Sequence, residues 1–453
     1  MSYTRYIASI SLVFLASFGV ARTIAQNAPR DELFQQAPTP SIAQPVKSRA
    51  LSAVDSTPSP TTEKVTIAQL QEKALRNHPL YKIAESAIEA ERGSRTQASL
   101  RPNPTLRYQG EEIGSDGKAG KQGFTLEQEF GSYERRRLLV QASDRSIEAL
   151  TWNKEIASAK IRNDVYSLAF RLLIARKKVD FLRQLVSISQ TSEDAARVAI
   201  QAGSIEITQL QFIQIQNQTR QAKLMLTQET NVQESLEKKL AVVVGEPNEP
   251  IGEIDDNPET LVELDAFDEA ATLNEILENS PEVAQKKAEI RQKQAVVAFE
   301  RSPQREFSIE GGTTYDFSDN TTLAQIGVGV PIRINNRNEG NIQRAVAEYF
   351  TAQKELEKLQ LRLRAKFTEV FSEYKTARDE VVAYQREILP DLEKLFSMSQ
   401  LAYQQGQINF LEISAARTSY IESFLNYLEA LNRLADSIAK IKGTLLENSL
   451  EDE

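Results

Sequence analysis

The chain has 453 residues, room for one large domain or two to three ordinary ones. Hydrophobic residues make up 41% and charged residues 26%, a foldable composition; Lys plus Arg at 54 against Asp plus Glu at 63 gives a net charge of −9, which argues against nucleic acid as the main partner. Cysteine is absent and His78 is the single histidine, which excludes disulfides, thiolate zinc sites and Cys–His chemistry.

Arg5 precedes an apolar run from Ile7 to Val20, and small residues then offer cleavage after Ala21 or Ala25. Residues 1–25 therefore read as a secretory signal. A helix over that run would reach about 21 Å, short of the ~30 Å hydrocarbon core, and an uncleaved anchor is the alternative. No later segment has 18 consecutive apolar residues. Further contact with a bilayer would need β-strands or amphipathic surface. Residues 26–63 interleave Pro29, Pro38, Pro40, Pro45, Pro58 and Pro60 with Ser, Thr, Gln and Ala. They read as a flexible extension, a linker or a partner-binding arm.

The rest is a tandem repeat. Leu75-Arg76-Asn77-His78-Pro79 resembles Leu277-Glu278-Asn279-Ser280-Pro281, and Ala175-Arg176 matches Ala377-Arg378. Gln201-Ala202-Gly203-Ser204-Ile205 matches Gln404-Gln405-Gly406-Gln407-Ile408. Such a register implies duplication. The repeats span 64–245 and 264–443, with an acidic linker over 246–263 and an acidic tail over 444–453. Glu447, Glu451, Asp452 and Glu453 read as solvated.

Each repeat orders a helix, two short strands and two very long helices. In the first, the strands fall at Thr105–Glu111 and Gly123–Phe130, and a long helix runs from Tyr133 to Ala199. In the second, the strands fall at Glu306–Tyr315 and Leu323–Ile334. Ala324, Ile326, Val328 and Val330 alternate with Gln325, Gly327 and Gly329. That suits a strand between lipid and a wet lumen, or a soluble hairpin lying on the helices. From Leu356 through Leu359, Leu363, Phe367, Val370, Tyr374, Ala377 and Val381 the apolar steps alternate between three and four, with one extra four. This is a narrow coiled-coil-like seam on a helix from Asn341 to Tyr403, kinked rather than ended by Pro390. Helices this long suggest a rod, fibre or tube. Four strands are too few to close a barrel, so membrane-spanning strands would require several chains to share one.

The export signal, the twofold repeat and a glycine at each hairpin bend together resemble the TolC-type outer-membrane efflux factors, over about Val65 to Gly443. Gly329-Val330-Pro331-Ile332-Arg333-Ile334-Asn335-Asn336-Arg337-Asn338-Glu339-Gly340 looks like the strand exit and helix start of the CzcC heavy-metal efflux branch. Thr125-Leu126-Glu127-Gln128-Glu129-Phe130-Gly131 is similar to the matching stretch of its first half. The resemblance implies a mainly α fold with a small β part, assembled as a homotrimer. Three chains would form a 12-strand outer-membrane β-barrel on a periplasmic α-helical tunnel. It implies a periplasmic adaptor, an inner-membrane pump of the resistance-nodulation-division type and outer-membrane lipid as partners. No nucleic acid, cofactor or enzymatic activity is expected.

The resemblance also assigns residues. Adaptor contacts fall on the hairpin tips, Ala202, Gly203, Ser204 and Ile205 in the first repeat and Gln405, Gly406, Gln407 and Ile408 in the second. A pore constriction is implied at Glu412, six residues after Gly406, where three copies would form a carboxylate ring; an ordinary solvated Glu is the alternative. A second acid three positions on is replaced by Ala415. Tyr403 is implied to bond to the position six after Gly203, here Gln209, without ionic assistance; simple interhelical packing is the alternative. The basic residue that helps in some members is replaced by Ile408. His78 reads as a cap or turn residue, and no metal ligands are assigned. Arg135-Arg136-Arg137 reads as a solvated helix face or a periplasm-side anchor just below the barrel. Two competing functions stand beside efflux: a conduit for peptide or protein secretion, and a soluble periplasmic coiled-coil adaptor. The asparagine-rich stretch from Asn336 to Asn341 favours efflux, and the doubled hairpin argues against an adaptor.

Overall fold

The computed structural model describes residues 64–450, apart from 115–116, 118, 202–207, 264–265 and 406. The signal and extension readings, the tip residues Ala202, Gly203, Ser204, Ile205 and Gly406, and the terminal Glu451, Asp452 and Glu453 lie outside the described residues.

The repeat is visible element by element. The first has β1 (Lys64–Val65), α1 (Ile67–Asn77), α2 (Pro79–Ser99), β2 (Thr105–Glu111), β3 (Lys121–Phe130), α3 (Tyr133–Gln201) and α4 (Gln209–Val244). The second has β4 (Glu253–Ile254), α5 (Glu269–Asn279), α6 (Pro281–Arg301), β5 (Phe307–Asp316) and β6 (Thr321–Gly329). It ends with α7 (Glu339–Ala383), a π-turn at Tyr384–Ile388, α8 (Leu389–Gln404) and α9 (Phe410–Lys442). The linker is not a free connector: β4 pairs in parallel with β1, and Ile67 N–H donates to Asp256 at 2.9 Å.

Local chemistry sets the boundaries. His78 closes α1 and opens α2, accepting the Leu80 N–H on Nδ1 at 3.2 Å while Pro79 takes the first helical position. Ser280 joins α5 to α6 at the matching position, with no side-chain cap bond. Both hairpins restart with a capping box, Thr208 with Gln211 on α4 and Asn409 with Glu412 on α9. Gly245 ends α4 with φ 84°, where a Cβ would lie 2.7 Å from the Asn77 side chain.

One core serves both repeats. Phe367, Val370, Tyr374, Ala377 and Val381 of α7 meet Leu428, Leu431, Leu434 and Ile438 of α9. Ile161, Val165 and Leu172 of α3 complete that layer, and Leu70 and Ala74 of α1 and Ile276 of α5 close it. A smaller cluster of Leu182, Leu185, Val186 and Ala222 continues along α3 and α4.

The strands form a single antiparallel sheet in the order β2-β3-β5-β6, so the two hairpins join through β3 and β5. β6 stops at Gly329, five residues before the expected Ile334. Its partner β5 begins at Phe307, with Ser308 opposite Gly329, so the chain beyond has no described strand to pair with and Pro331 lacks an N–H.

The C-terminal segment is docked rather than solvated. Leu445 and Leu446 are buried, Lys366 donates to Glu447 at 2.8 Å, and Asp164 accepts the Asn448 and Ser449 N–H groups at 3.1 and 2.6 Å. Arg135 is likewise packed, not solvated: its guanidinium lies 3.9 Å from the Phe299 ring centre and 3.6 Å from Glu300.

Candidate functional site

The sheet is two-faced. On one face β3 presents Phe124, Leu126 and Phe130, β2 presents Leu106 and Tyr108, β5 presents Phe307, Ile309 and Tyr315, and β6 presents Ile326 and Val328, all exposed. On the other face the registers align Arg107, Thr125, Gly312 and Gln325 in one row and Thr105, Glu127, Glu310 and Gly327 in the next. Along β5 the polar-face residues are consistently less exposed than those on the apolar face. Gln325 Nε2 donates to Thr125 Oγ1 at 2.7 Å, and Thr125 Oγ1 to Gln109 Oε1 at 3.3 Å, a polar belt across the sheet. Gly123 and Gly312 leave room for it, since a Cβ at Gly312 would lie 2.8 Å from Thr125 Oγ1. Arg107 pairs with Glu127 at 3.0 Å. The outer edges of β2 and β6 pair with no other strand among the described residues. An exposed apolar face, a polar opposite face and two open edges suit a segment of a larger barrel wall, with lipid outside and water inside.

At the far end of the coils the expected site residues are partly placed. Glu412 is exposed, and its carboxylate accepts from Asn409 N–H at 3.4 Å and Asn409 Nδ2 at 3.2 Å, so it closes the cap of α9. Its counterpart, Gln211, does the same on α4, with Thr208 N–H donating to its Oε1 at 2.8 Å. Gln209 is the exposed first residue of α4, and Tyr403 is the half-buried penultimate residue of α8. No hydrogen bond joins them among the described residues. α8 closes with Gln405 N–H donating to Leu401 O at 3.1 Å and Gln407 N–H to Ala402 O at 2.9 Å. Gln405 and Gln407 are exposed and Ile408 is half-buried.

The polar links between the hairpins lie elsewhere. Gln218 on α4 donates to Ser414 Oγ on α9 at 2.6 Å, and Arg417 on α9 donates to Ser189 Oγ on α3. Burial pushes the Arg417 guanidinium below its ordinary pKa. These residues were missed because each is an isolated polar position on a seam, and only the packing of α9 against α3 and α4 brings them together. Deeper in the fold Arg171 holds Asp436 through both carboxylate oxygens at 2.6–3.0 Å, tying α3 to α9. No group of three metal-ligating side chains occurs among the described residues, and no described helix is long and apolar enough to cross a membrane.

Comparison with known proteins agrees with this architecture. Residues 272–445 match the family described as Outer membrane efflux protein. The cobalt-zinc-cadmium resistance protein CzcC of Cupriavidus metallidurans is 25% identical over 364 residues, 80% of this chain and 85% of that protein. Among solved structures, CusC superposes with a TM-score of 0.69 at 16% identity, covering 84% of this chain and 92% of that one. The Campylobacter jejuni CmeC outer membrane channel gives 0.67 at 16% identity, covering 91% and 96%. The open state of the Neisseria gonorrhoeae MtrE outer membrane channel gives 0.67 at 15% identity, covering 84% and 88%. The sequence resemblance to the efflux factors, and to the CzcC branch among them, is borne out.

Proposed function

We propose that this chain is the outer-membrane channel of a tripartite efflux pump, conducting substrates passively from an inner-membrane transporter and periplasmic adaptor to the exterior. The observation that carries the reading is the four-stranded sheet, apolar and exposed on one face, polar on the other and open at both edges among the described residues. An open edge in hydrocarbon leaves backbone groups unpaired at several kcal/mol each, so neighbouring copies must complete the wall. Three copies give twelve strands, with the coils extending into the periplasm as a tunnel. The likeness to CzcC supports heavy-metal cations as cargo. With no described metal cluster, selection among metals falls to the pump or adaptor.

The hairpin ends are the adaptor-facing surface in this reading, at Ala202 to Ile205 and Gln405 to Ile408. Glu412 contributes a carboxylate to a ring at the mouth, and Tyr403 and Gln209 meet only across the assembled tunnel. Fractionation of membranes, followed by electrophoresis without heating, tests the whole. The reading requires a trimer in the outer-membrane fraction; a soluble monomer or dimer overturns it. In planar bilayers Glu412→Gln should reduce cation over anion selectivity of the assembled channel, and unchanged selectivity removes Glu412 from the constriction.

A further inference from the structure

The sheet ends on its helical side in a belt of arginine. Four segments carry the chain between sheet and helices, and all meet the same edge, since Phe130 pairs with Phe307 and Ser308 with Gly329. Each holds arginine or runs directly into a helix that does. Arg101 lies between α2 and β2, and Arg135, Arg136 and Arg137 are the third to fifth residues of α3. Arg301 and Arg305 lie at the end of α6 and before β5, and Arg333 and Arg337 lie between β6 and α7. No lysine stands in any of these segments, although lysine is frequent along the coils. The described residues at the opposite end of the strands include Glu111, Glu112, Asp316, Asp319 and Lys121, and no arginine.

Two of these arginines are engaged within the fold, Arg135 with Glu300 and Arg333 with Glu306 at 3.3 Å. The rest make no ion pair among the described residues. Arg101, Arg137, Arg301, Arg305 and Arg337 are exposed, and Arg136 leans toward the Tyr133 ring, 6.0 Å from its centre. Glu129, Glu134 and Glu339 at the same level are too few to neutralise them. Arg136 and Arg137 also face the positive end of the α3 dipole, where carboxylates are favoured. In the isolated chain mutual repulsion and the dipole both disfavour this arrangement, and an anion from outside relieves both.

The surface beside the belt is apolar. The row of Ala324, Ile326 and Val328 continues past the last paired residue through Val330, Ile332 and Ile334, which are 64%, 83% and 72% exposed. Phe130 and Phe307 stack at 5.0 Å on the same face. Aliphatic and aromatic surface running into cations is the composition at which a protein passes from hydrocarbon to headgroups. Guanidinium rather than ammonium suits the phosphate oxygens, because its planar fork donates two parallel hydrogen bonds.

We propose that this belt binds the phosphate groups of anionic phospholipids in the leaflet on the helical side, and so fixes the depth of the barrel wall. The proposal rests on the channel reading above. The full-length oligomer is reconstituted into phosphatidylcholine vesicles and into vesicles enriched in phosphatidylglycerol, and its dissociation temperature is read by electrophoresis. The belt requires a higher dissociation temperature in phosphatidylglycerol, reduced by salt. The combined variant Arg101→Gln, Arg301→Gln, Arg305→Gln and Arg337→Gln should lose that increment while matching the native oligomer in phosphatidylcholine. Single variants Arg305→Gln and Arg337→Gln should each lose part of it, which keeps the test open if the combined variant misfolds. Equal dissociation temperatures in the two lipids overturn the belt alone. Inorganic phosphate added to phosphatidylcholine vesicles should do little; a shift as large as that from phosphatidylglycerol overturns the lipid assignment. Failure to enter either vesicle overturns the channel reading and this proposal with it.

Discussion

The long helix of the first repeat runs unbroken from Tyr133 to Gln201, whereas its counterpart is interrupted by the π-turn at Tyr384–Ile388. Pro390 explains the difference: it has no N–H to donate, and its ring would meet the carbonyl four residues before it. The wider turn absorbs that clash, and Leu389 N–H bonds back to Tyr384 O. The consequence reaches beyond the turn. α3 keeps Leu182, Leu185, Val186, Ser189 and Ala196 buried toward its far end, while α8 buries no described side chain and exposes Leu395, Met398 and Leu401. The second coil is thus firmly held up to Val381 and lightly held after it. Duplication preserved the capping boxes and let the middle of one coil soften.

The largest expected effect separates the two parts of that coil. Phe367→Ala, in the shared core, should cost about 3–5 kcal/mol, and Leu395→Ala on α8 less than about 0.5 kcal/mol. Denaturant unfolding of both variants checks this, and similar costs would erase the distinction. Pro390→Ala should stabilise the second coil by about 1–3 kcal/mol, less than an interior proline's full cost because the π-turn already relieves part of it. Amide exchange at Tyr384–Ile388 should slow; unchanged exchange would mean the turn has another cause.

Smaller effects compare the hairpin starts. Thr208→Ala and Asn409→Ala should each cost about 1 kcal/mol by loss of an N-cap. Glu412→Gln should leave stability nearly unchanged, because Gln211 already closes the equivalent cap as an amide. The subtlest comparison is ionic, between His78 and Ser280. Burial lowers the His78 pKa below 6.5, with Asp164 opposing, so the unfolded chain takes up its proton first as pH falls. His78 should therefore cost stability as pH drops from about 6.5 towards its lower folded value, with no further loss below that. His78→Ser, the residue of the second repeat, should abolish this component of the pH profile in thermal melts.

Much of this was legible beforehand. The spacing from Leu356 to Val381 predicted the α7 seam, and the repeat register matched α1 to α5, but one helix was expected before each strand pair where the structure has two, α1 and α2 or α5 and α6. The strand pattern gave the two faces of the sheet, yet it extended β6 through Val330, Ile332 and Ile334 because alternation reports side-chain polarity and not whether a neighbouring strand exists. The proline was read as a kink, but its resolution as a π-turn depends on how α7 packs below it. Glu412 was noticed for its charge, while its cap bond follows from Asn409, three residues away.

The sequence alone determined the duplication, the lengths of the helices and the amphipathic surfaces, because these follow from local periodicity and from residues that start or stop a helix. The tertiary structure decided which distant groups share a neighbourhood. It joined β3 to β5, docked Glu447 on Lys366, set Arg417 on Ser189 and gathered arginines from four separate segments at one edge of the sheet. Backbone hydrogen bonding and burial act through space, so residues hundreds of positions apart become neighbours only once the chain has packed.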